Sequence, residues 1–240
     1  MTIGWETLGE ALELGPQALV SFVGGGGKTT ALFALGRYRQ GRTVITTTTK
    51  MGVERTGGRP VLLDPGDAEL ARALDDHGWV IAWQHVDDHR AVGVTPQTCD
   101  RWGAFADTVA VEADGSRRMP FKAPRDYEPV IPLASTHVVA CVGMAAVGVP
   151  ILEGCQRPER VAALAGCREV DELSPERLAR VLLSPAGSRK DVPAGARFSV
   201  LLNRVTDADG SLVDELRRLL GAVPLAAVAD LPADRLPDSP

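Results

Sequence analysis

The sequence predicts a three-layer α/β fold in which helices cover both faces of a mostly parallel central sheet. Short runs rich in β-branched residues alternate with segments of helical periodicity along the 240-residue chain. The apolar run at 18–23 passes directly into four glycines, and the run at 108–112 ends in acidic residues. Both features are typical of strands that end at the functional edge of an open parallel sheet.

The elements follow in order from a short amphipathic helix at the amino terminus. Strands are predicted at 18–23, 42–47, 59–63, 108–112, 137–142 and 198–203, with an edge strand at 223–228. Helices are predicted at 29–38, 67–76, 158–164, 175–183 and 209–220. The runs at 80–83 and 91–95 are predicted to pair as a small hairpin.

The chain reads as a single domain over residues 1–240. We expect a phosphate-binding core at about 15–145, a part at about 146–230 that completes the sheet and covers the site, and a frayed tail at 231–240. The net charge of -5 argues against nucleic acid or an anionic membrane as a partner. No basic and apolar leader opens the chain, and the four cysteines lack metal-ligand spacing, so we expect a cytoplasmic protein with buried thiols.

The glycine run is the main functional signal. Gly24, Gly25, Gly26 and Gly27 join a strand to Lys28, Thr29 and Thr30 at the start of a helix. Backbone N–H groups and the helix dipole converge at such a turn, which predicts a phosphate site of the P-loop NTPase-like class. Lys28 would reach the terminal phosphates of ATP or GTP, and Thr29 would offer its hydroxyl to Mg²⁺.

The loop departs from the pattern GxxxxGK[ST], because Phe22 stands where that pattern has its first glycine. The sequence satisfies the shorter pattern GxxGKTT, which resembles the loop of the Mur-type ligases that bind ATP phosphates. The dinucleotide pattern GxGxxG fails because its last glycine would fall at Thr29. The sequence therefore favours a nucleoside triphosphate over a dinucleotide.

Two acids stand at the carboxyl end of the strand at 108–112. Glu112 and Asp114 are separated by one residue, so both face the same side if the strand continues. Phosphoryl chemistry needs a carboxylate near magnesium, and both are candidate metal ligands and catalytic residues. The alternative is that Asp114 simply forms a turn with Gly115.

Further polar residues lie after the neighbouring strands. Thr49 and Lys50 close the strand at 42–47 and are candidate substrate ligands, Lys50 also a catalytic one, although β-propensity alone explains the threonines before them. A proline-rich loop at 115–132 carries the candidate substrate-binding residues Arg118, Lys122 and Arg125 and the candidate catalytic residue Arg117. Its cations suit an anionic substrate or a transferring phosphoryl group, and a solvated charged loop is the alternative.

Asn203 ends the strand at 198–203 within the stretch NRVTD. That stretch is similar to the NKxD element that reads guanine, but the acid falls one position late. Asn203 is a candidate nucleotide ligand, and a turn asparagine after a strand is the stronger interpretation.

Together, VGGGGKTT, TTTTKM, VEADGSRRMPFKAPRDYEPVIP and LLNRVTD resemble one family. This is the family of selenium-dependent hydroxylase accessory proteins, also called selenium cofactor biosynthesis protein YqeC. The resemblance implies a role in the maturation of selenium-dependent molybdenum hydroxylases, with such a hydroxylase or its cofactor as a partner. It places Lys28, Thr29, Glu112, Asp114, Lys122, Arg125 and Arg157 at motif positions. Family members often carry histidine before that arginine, where this chain has Gln156.

The leading functional hypothesis is an ATP–Mg²⁺-dependent enzyme or NTPase that acts as this accessory factor. Lys28 would neutralise the phosphates, and an arginine of the basic loop would stabilise developing charge. Two alternatives stay open. One is a non-catalytic, nucleotide-gated chaperone that inserts a cofactor, and the other is a GTPase-type switch.

Overall fold

The structure is a computed structural model that describes residues 2–53, 56 and 58–229. The predicted tail at 231–240 lies outside the described residues. The strands, in chain order, are β1 Ala18–Gly24, β2 Thr43–Thr47, β3 Lys50–Gly52, β4 Val61–Leu63, β5 Trp79–Trp83, β6 His85–Asp87, β7 Arg90–Val92, β8 Thr108–Glu112, β9 Phe121–Lys122, β10 His137–Gly143, β11 Cys155–Gln156, β12 Arg197–Val205 and β13 Leu225–Ala229. The helices are α1 Leu8–Ala11, α2 Lys28–Tyr38, α3 Asp67–His77, α4 Pro96–Trp102, α5 Ile151–Gly154, α6 Pro158–Ala165, α7 Pro175–Leu183 and α8 Gly210–Leu220.

Eight strands form one sheet in the order β13-β12-β10-β1-β8-β2-β5-β4. Every neighbouring pair in this sheet is parallel. β1 lies near the centre, with β8 on one side and β10 on the other. From β1 the chain runs first toward β2 and later returns past β1 to β10, so the carboxyl end of β1 is where the strand order reverses. Open α/β sheets bind ligands at such a point.

Alternate residues of the strands pack on opposite faces of the sheet, as the period of a strand requires. On one face Val20 and Phe22 of β1 contact α2 and the amino-terminal helix. On the other face Leu19 packs with α3 and α4, and Val23 packs with α6, α7 and α8. The predicted α/β class, with helices on both faces of a parallel sheet, is confirmed.

The predicted hairpin of 80–83 with 91–95 is wrong. β5 is a buried strand of the central sheet, between β2 and β4. The hairpin is formed by β6 and β7, and β3 pairs with β7 to complete a small antiparallel sheet. The polar segment between the two runs does contain a turn, as predicted. The apolar run before it belongs to the parallel sheet, because a strand that is apolar on both faces is typical of a buried parallel sheet.

The proline-rich segment after β8 contains no helix, as predicted, and it is tied to the carboxyl-terminal half of the chain. β9 within it pairs with β11 in a two-stranded parallel ladder. The amino terminus also reaches a distant element, because Ile3 forms a bridge with Val228 of β13. The predicted amino-terminal helix is a 3₁₀ turn, Trp5–Thr7, followed by the single turn α1.

In the part of the chain that the structure describes, no helix is long and apolar enough to cross a membrane. The four cysteines are free thiols, and all but Cys167 are buried. Burial raises the pKa of Cys99 and of Cys155 to about 12, so these thiols stay protonated near neutral pH.

Candidate functional site

The glycine loop is held by close contacts rather than being slack. A methyl group on Gly26, where φ is +76°, would lie 2.1 Å from the backbone nitrogen of Gly143. One on Gly25 would lie 2.5 Å from the carbonyl oxygen of Met119. The amide of Gly25 donates to the carbonyl of Cys141. Only glycine fits these positions, because β10 and the segment before β9 press against the loop from two sides.

Five consecutive N–H groups at the start of α2 form the centre of the site. Among the described residues, the amides of 26–30 donate to no backbone or side-chain acceptor, and the first helical bond is from Ala31 to the carbonyl of Gly27. Gly26, Gly27 and Thr29 are half-buried, and Thr30 is buried in the first turn. A row of unpaired donors at the positive end of a helix dipole is the arrangement that binds phosphate.

Lys28 lies beside these amides and is almost completely buried, with 3% of its side chain exposed. Its Nζ donates to the carbonyl of Gly24 at 2.5 Å and lies 3.3 Å from Oδ1 of Asp114 and 3.9 Å from Oε1 of Glu112. Burial by itself would lower the pKa of Lys28, but the two carboxylates outweigh it and raise the pKa above its usual value. The lysine is therefore charged and held inside the loop by anionic partners.

Glu112 meets the first turn of α2. Its Oε2 accepts a hydrogen bond from the hydroxyl of Thr29 at 2.8 Å. Burial raises the pKa of Glu112 more than Lys28 and Thr29 lower it, so the pKa is above its usual value. A hydroxyl and a carboxylate in contact, beside unpaired amides, are suited to a magnesium ion that keeps waters and phosphate oxygens as its other ligands. The same contact joins the end of β8 to the first turn of α2.

Asp114 lies on the other side of Lys28. Its Oδ2 accepts from the amide of Gly24 at 3.1 Å and lies 3.0 Å from Nζ of Lys122. Its Oδ1 has no hydrogen-bond partner among the described residues and faces Lys28. The arrangement links Asp114 to the glycine loop rather than to a turn alone. Its predicted role as a metal ligand stays a prediction.

A chain of buried and half-buried charges continues from Asp114. Lys122 also contacts Oε2 of Glu128 at 2.8 Å, and Arg157 contacts the same oxygen at 3.0 Å. Burial would raise the pKa of Glu128, but the bonds from Lys122 and Arg157 lower it below its usual range. The order Lys28, Asp114, Lys122, Glu128, Arg157 alternates in sign, so each of these five charges has a neighbour of opposite sign.

Arg157 contacts the loop that follows β8. It has a left-handed backbone, φ 61°, directly before Pro158 at the start of α6. Its Nη1 donates to the carbonyl of Ala123 at 2.7 Å, whereas its buried Nε has no partner among the described residues. The side chain thus joins α6 to the segment that contacts the glycine loop.

Asn203 contacts the glycine loop directly. Its Nδ2 donates to the carbonyl of Gly26 at 3.0 Å, and its Oδ1 accepts from the amide of Arg204. A methyl group on Gly27 would lie 2.3 Å from the same Nδ2. Both ends of the amide are occupied, which favours the structural interpretation of this asparagine over the reading of a base.

The remaining predicted residues lie in the segments that follow β2 and β8. Lys50 is exposed and pairs with Asp87 at 3.5 Å, and Thr49 is in contact with Thr47. Arg125 is half-buried and lies over the ring of Tyr127. Arg117 and Arg118 are adjacent, exposed residues with left-handed backbones, φ 50° and 64°. The substrate and catalytic roles predicted for these residues stay predictions.

Sequence reasoning missed three contributors to the site. Cys141 and Gly143 support the glycine loop through the end of β10, and Glu128 joins the two cations Lys122 and Arg157. The apolar run at 137–142 does not by itself indicate that its strand lies beside the glycine loop. A glycine at its carboxyl end was a usable signal, because a glycine there permits close backbone approach.

The fold and the site define an α/β protein of the P-loop type, in which a glycine loop joins a central strand to a helix amino terminus. The profile of the YqeC protein family matches residues 20–159. The uncharacterized protein YqeC of Escherichia coli strain K12 is 31% identical over 211 residues, which cover 84% of this chain and 82% of that protein. The chain therefore belongs to the YqeC family, as the motif resemblance predicts. A crystal structure of a ParA family ATPase from Chlorobium tepidum TLS is 15% identical, with a TM-score of 0.44, and covers 93% of this chain and 90% of that one.

Proposed function

We propose that this protein binds a nucleoside triphosphate, with ATP as the favoured nucleotide, at the glycine loop. The observation that carries the proposal is the row of unpaired amides at 26–30, with the buried, charged Lys28 beside it. Phosphate oxygens are acceptors that carry charge, so they match both features at once. Among the residues that the structure describes, no protein anion occupies this row of donors.

Thr29 and Glu112 would hold the magnesium ion of the nucleotide. The two oxygens are in contact, and the raised pKa of Glu112 reflects a buried carboxylate with too little positive charge around it. No group of three or more acidic, histidine or cysteine residues within the described ranges is arranged to hold a metal. A site of this kind fits Mg²⁺, because this ion binds to one or two protein groups and otherwise to water and phosphate. Bound magnesium neutralises charge on the terminal phosphates.

The chain's own residues have distinct roles in this proposal. Lys28 leaves the carbonyl of Gly24 and neutralises the terminal phosphates, and the amides of 26–30 orient them. Arg117, on an exposed loop next to the acids, is the candidate for stabilising charge that develops during phosphoryl transfer. We favour ATP over GTP because Asn203 is already bonded to Gly26 and Arg204.

At the level of the pathway, we propose that the protein is an accessory factor for the maturation of selenium-dependent molybdenum hydroxylases. This part of the proposal depends on the motif resemblance described above. An NTPase and a nucleotide-gated insertion chaperone would use the same loop. Phosphate release measured with and without the apo-hydroxylase separates them, since steady release in the absence of a partner contradicts the chaperone.

The site is tested with Lys28→Met and a matched control, Arg101→Met. Arg101 belongs to an exposed ion pair with Asp67. Calorimetric titration with ATP–Mg²⁺ should show roughly 10- to 150-fold weaker binding for the Lys28 variant, because charge-assisted bonds contribute about 1.5 to 3 kcal/mol. The control should bind like the parent. Equal binding by a folded Lys28→Met protein would show that the site is elsewhere.

A further inference from the structure

Two lysines share one buried carboxylate behind the glycine loop. Nζ of Lys28 is 3.3 Å from Oδ1 of Asp114, and Nζ of Lys122 is 3.0 Å from Oδ2. Asp114 and both lysine side chains are at most 3% exposed. Water therefore screens these charges weakly, and each charge strongly affects the other two.

The ammonium group of Lys122 is surrounded by acceptors of the protein itself. Besides Asp114, its Nζ contacts the carbonyl of Gly115 at 2.7 Å and Oε2 of Glu128 at 2.8 Å. An ammonium group has three donors, and three acceptors already surround this one. The contacts fix Lys122 as an interior group that faces Asp114 permanently.

Lys28 is in a different situation. Its partners are Asp114, the more distant Glu112 and the carbonyl of Gly24. To meet a phosphate it must give up its place at Asp114. A buried carboxylate that loses its only cation is costly, whereas one that keeps a second cation is not.

We propose that Lys122 is a positioning residue that makes Lys28 available to the phosphates by keeping Asp114 neutralised. The inference deepens the proposed function and rests on it. With Lys122 present, Asp114 divides its charge between two ammonium groups and holds Lys28 loosely. Without Lys122, the whole charge of Asp114 acts on Lys28 and withholds it from a ligand.

The chain beyond Lys122 gives the proposal a second consequence of opposite sign. Glu128 competes with Asp114 for Lys122, and Arg157 contacts Glu128 in turn. Loss of the charge on Glu128 leaves more of the charge of Lys122 to Asp114 and makes the site more positive. The proposal therefore requires that Lys122 and Glu128 variants change nucleotide affinity in opposite directions.

The test measures ATP–Mg²⁺ affinity by calorimetry for the parent, Lys122→Met, Glu128→Gln and the double variant Asp114→Asn/Lys122→Met. We expect roughly tenfold weaker binding for Lys122→Met and equal or tighter binding for Glu128→Gln. The double variant removes one charge of each sign, and its amide oxygen can still accept from the amide of Gly24. We expect its affinity to return to within about threefold of the parent, which a merely structural role would not produce.

Arg160→Met is the matched control for damage to the same loop, because Arg160 contacts Asp126 and the carbonyl of Pro124 but not Asp114. If Lys122→Met fails to fold, the double variant and Glu128→Gln decide the outcome. Parent-like affinity of Lys122→Met, or a double variant weaker than Lys122→Met, overturns the inference and leaves the proposed function standing. A parent protein that binds no nucleotide overturns both.

Discussion

The two ends of the parallel sheet differ in the space that they offer a ligand and in the charges that they carry. The end with more space is not the end that carries the unpaired donors and buried charges. At the amino ends of the strands, a groove of about 530 Å³ lies between the first helices, the end of α2 and Asp107. At the carboxyl ends, a small cavity of about 10 Å³ lies behind the glycine loop, beside Gly24, Asp114 and Lys122. The larger space would ordinarily be the first choice for a binding site.

The charged and polar groups favour the carboxyl ends of the strands instead. In the groove, Arg39 is already bound to the carbonyl of Gly15 and the hydroxyl of Thr108. At the other end, a lysine, two acids and five unpaired amides meet, all buried or half-buried. Under the proposed function, a ligand there would displace a lysine from its carboxylate instead of filling a cavity. Unpaired donors and constrained charges, rather than volume, therefore mark the proposed site.

The largest expected effect contrasts one glycine from each end. Gly26→Ala should lower the free energy of unfolding by about 3 kcal/mol, because its methyl group meets Gly143 at a positive φ. Gly15→Ala should change it by less than about 0.5 kcal/mol, since nothing lies within 4 Å of that methyl group. Urea unfolding of both variants measures the difference. Similar losses in the two proteins would remove the contrast.

A second effect tests whether the buried charge chain stabilises the fold. Glu128→Gln should cost about 2 to 3 kcal/mol at neutral pH, because it leaves Lys122 and Arg157 with less negative charge. The pKa of Glu128 is below its ordinary value of 4.5, so its stabilisation is present above that pH and is lost on further acidification. Unfolding curves of parent and variant should converge as the pH falls below about 4.5. Asp126→Asn, in the exposed pair with Arg160, is the control and should leave stability unchanged.

Glu112 should behave in the opposite way. The pKa of Glu112 is raised, so the native state holds the carboxyl proton more firmly than the unfolded state does. The protein therefore loses stability as the pH rises from the pKa of Glu112 in the unfolded state to its higher pKa in the native state. Glu112→Gln should therefore stabilise the ligand-free protein by about 1 kcal/mol at neutral pH. The same variant should weaken the magnesium dependence of nucleotide binding. Thermal unfolding without ligand measures the first effect, and nucleotide titration at several Mg²⁺ concentrations measures the second. A ligand-free Glu112→Gln protein that is less stable than the parent would contradict the raised pKa of Glu112.

The smallest effect concerns the surface. Lys50→Ala removes an exposed pair with Asp87 and should change the free energy of unfolding by at most about 0.5 kcal/mol. Its effect on ATP–Mg²⁺ affinity shows whether Lys50 reaches the ligand as the sequence predicts. A tenfold loss of affinity would place this residue in the site, and parent-like affinity would leave it to the small antiparallel sheet.

The sequence was sufficient where a motif is local. The order of strand, glycines, lysine and helix is contiguous from Ala18 to Tyr38, and its geometry follows from short-range rules. The acids after β8 were also predictable, because the carboxyl ends of parallel strands meet at one edge. The contact between Thr29 and Glu112 is the result of both rules together.

The rest depends on contacts between distant residues. No local pattern near Lys122 predicts that its three acceptors are Asp114, Gly115 and Glu128. The basic loop instead predicts a side chain that faces a substrate or solvent. The failed hairpin has the same origin, because β5 has apolar residues on both faces and its partners β2 and β4 lie elsewhere in the chain. Pairing between distant segments is decided by burial, which local patterns do not encode.

The order in which this protein is synthesised limits when its glycine loop can exist. The loop belongs to the first tenth or so of the chain, but it is bounded by Cys141 and Gly143 and bonded to Asn203. On a ribosome, the first segment must wait until residue 203 has emerged before its conformation is complete. Such long-range closure is typical of slowly folding parallel sheets. A nascent or truncated chain that carries the full motif would therefore lack the structure that the motif signifies.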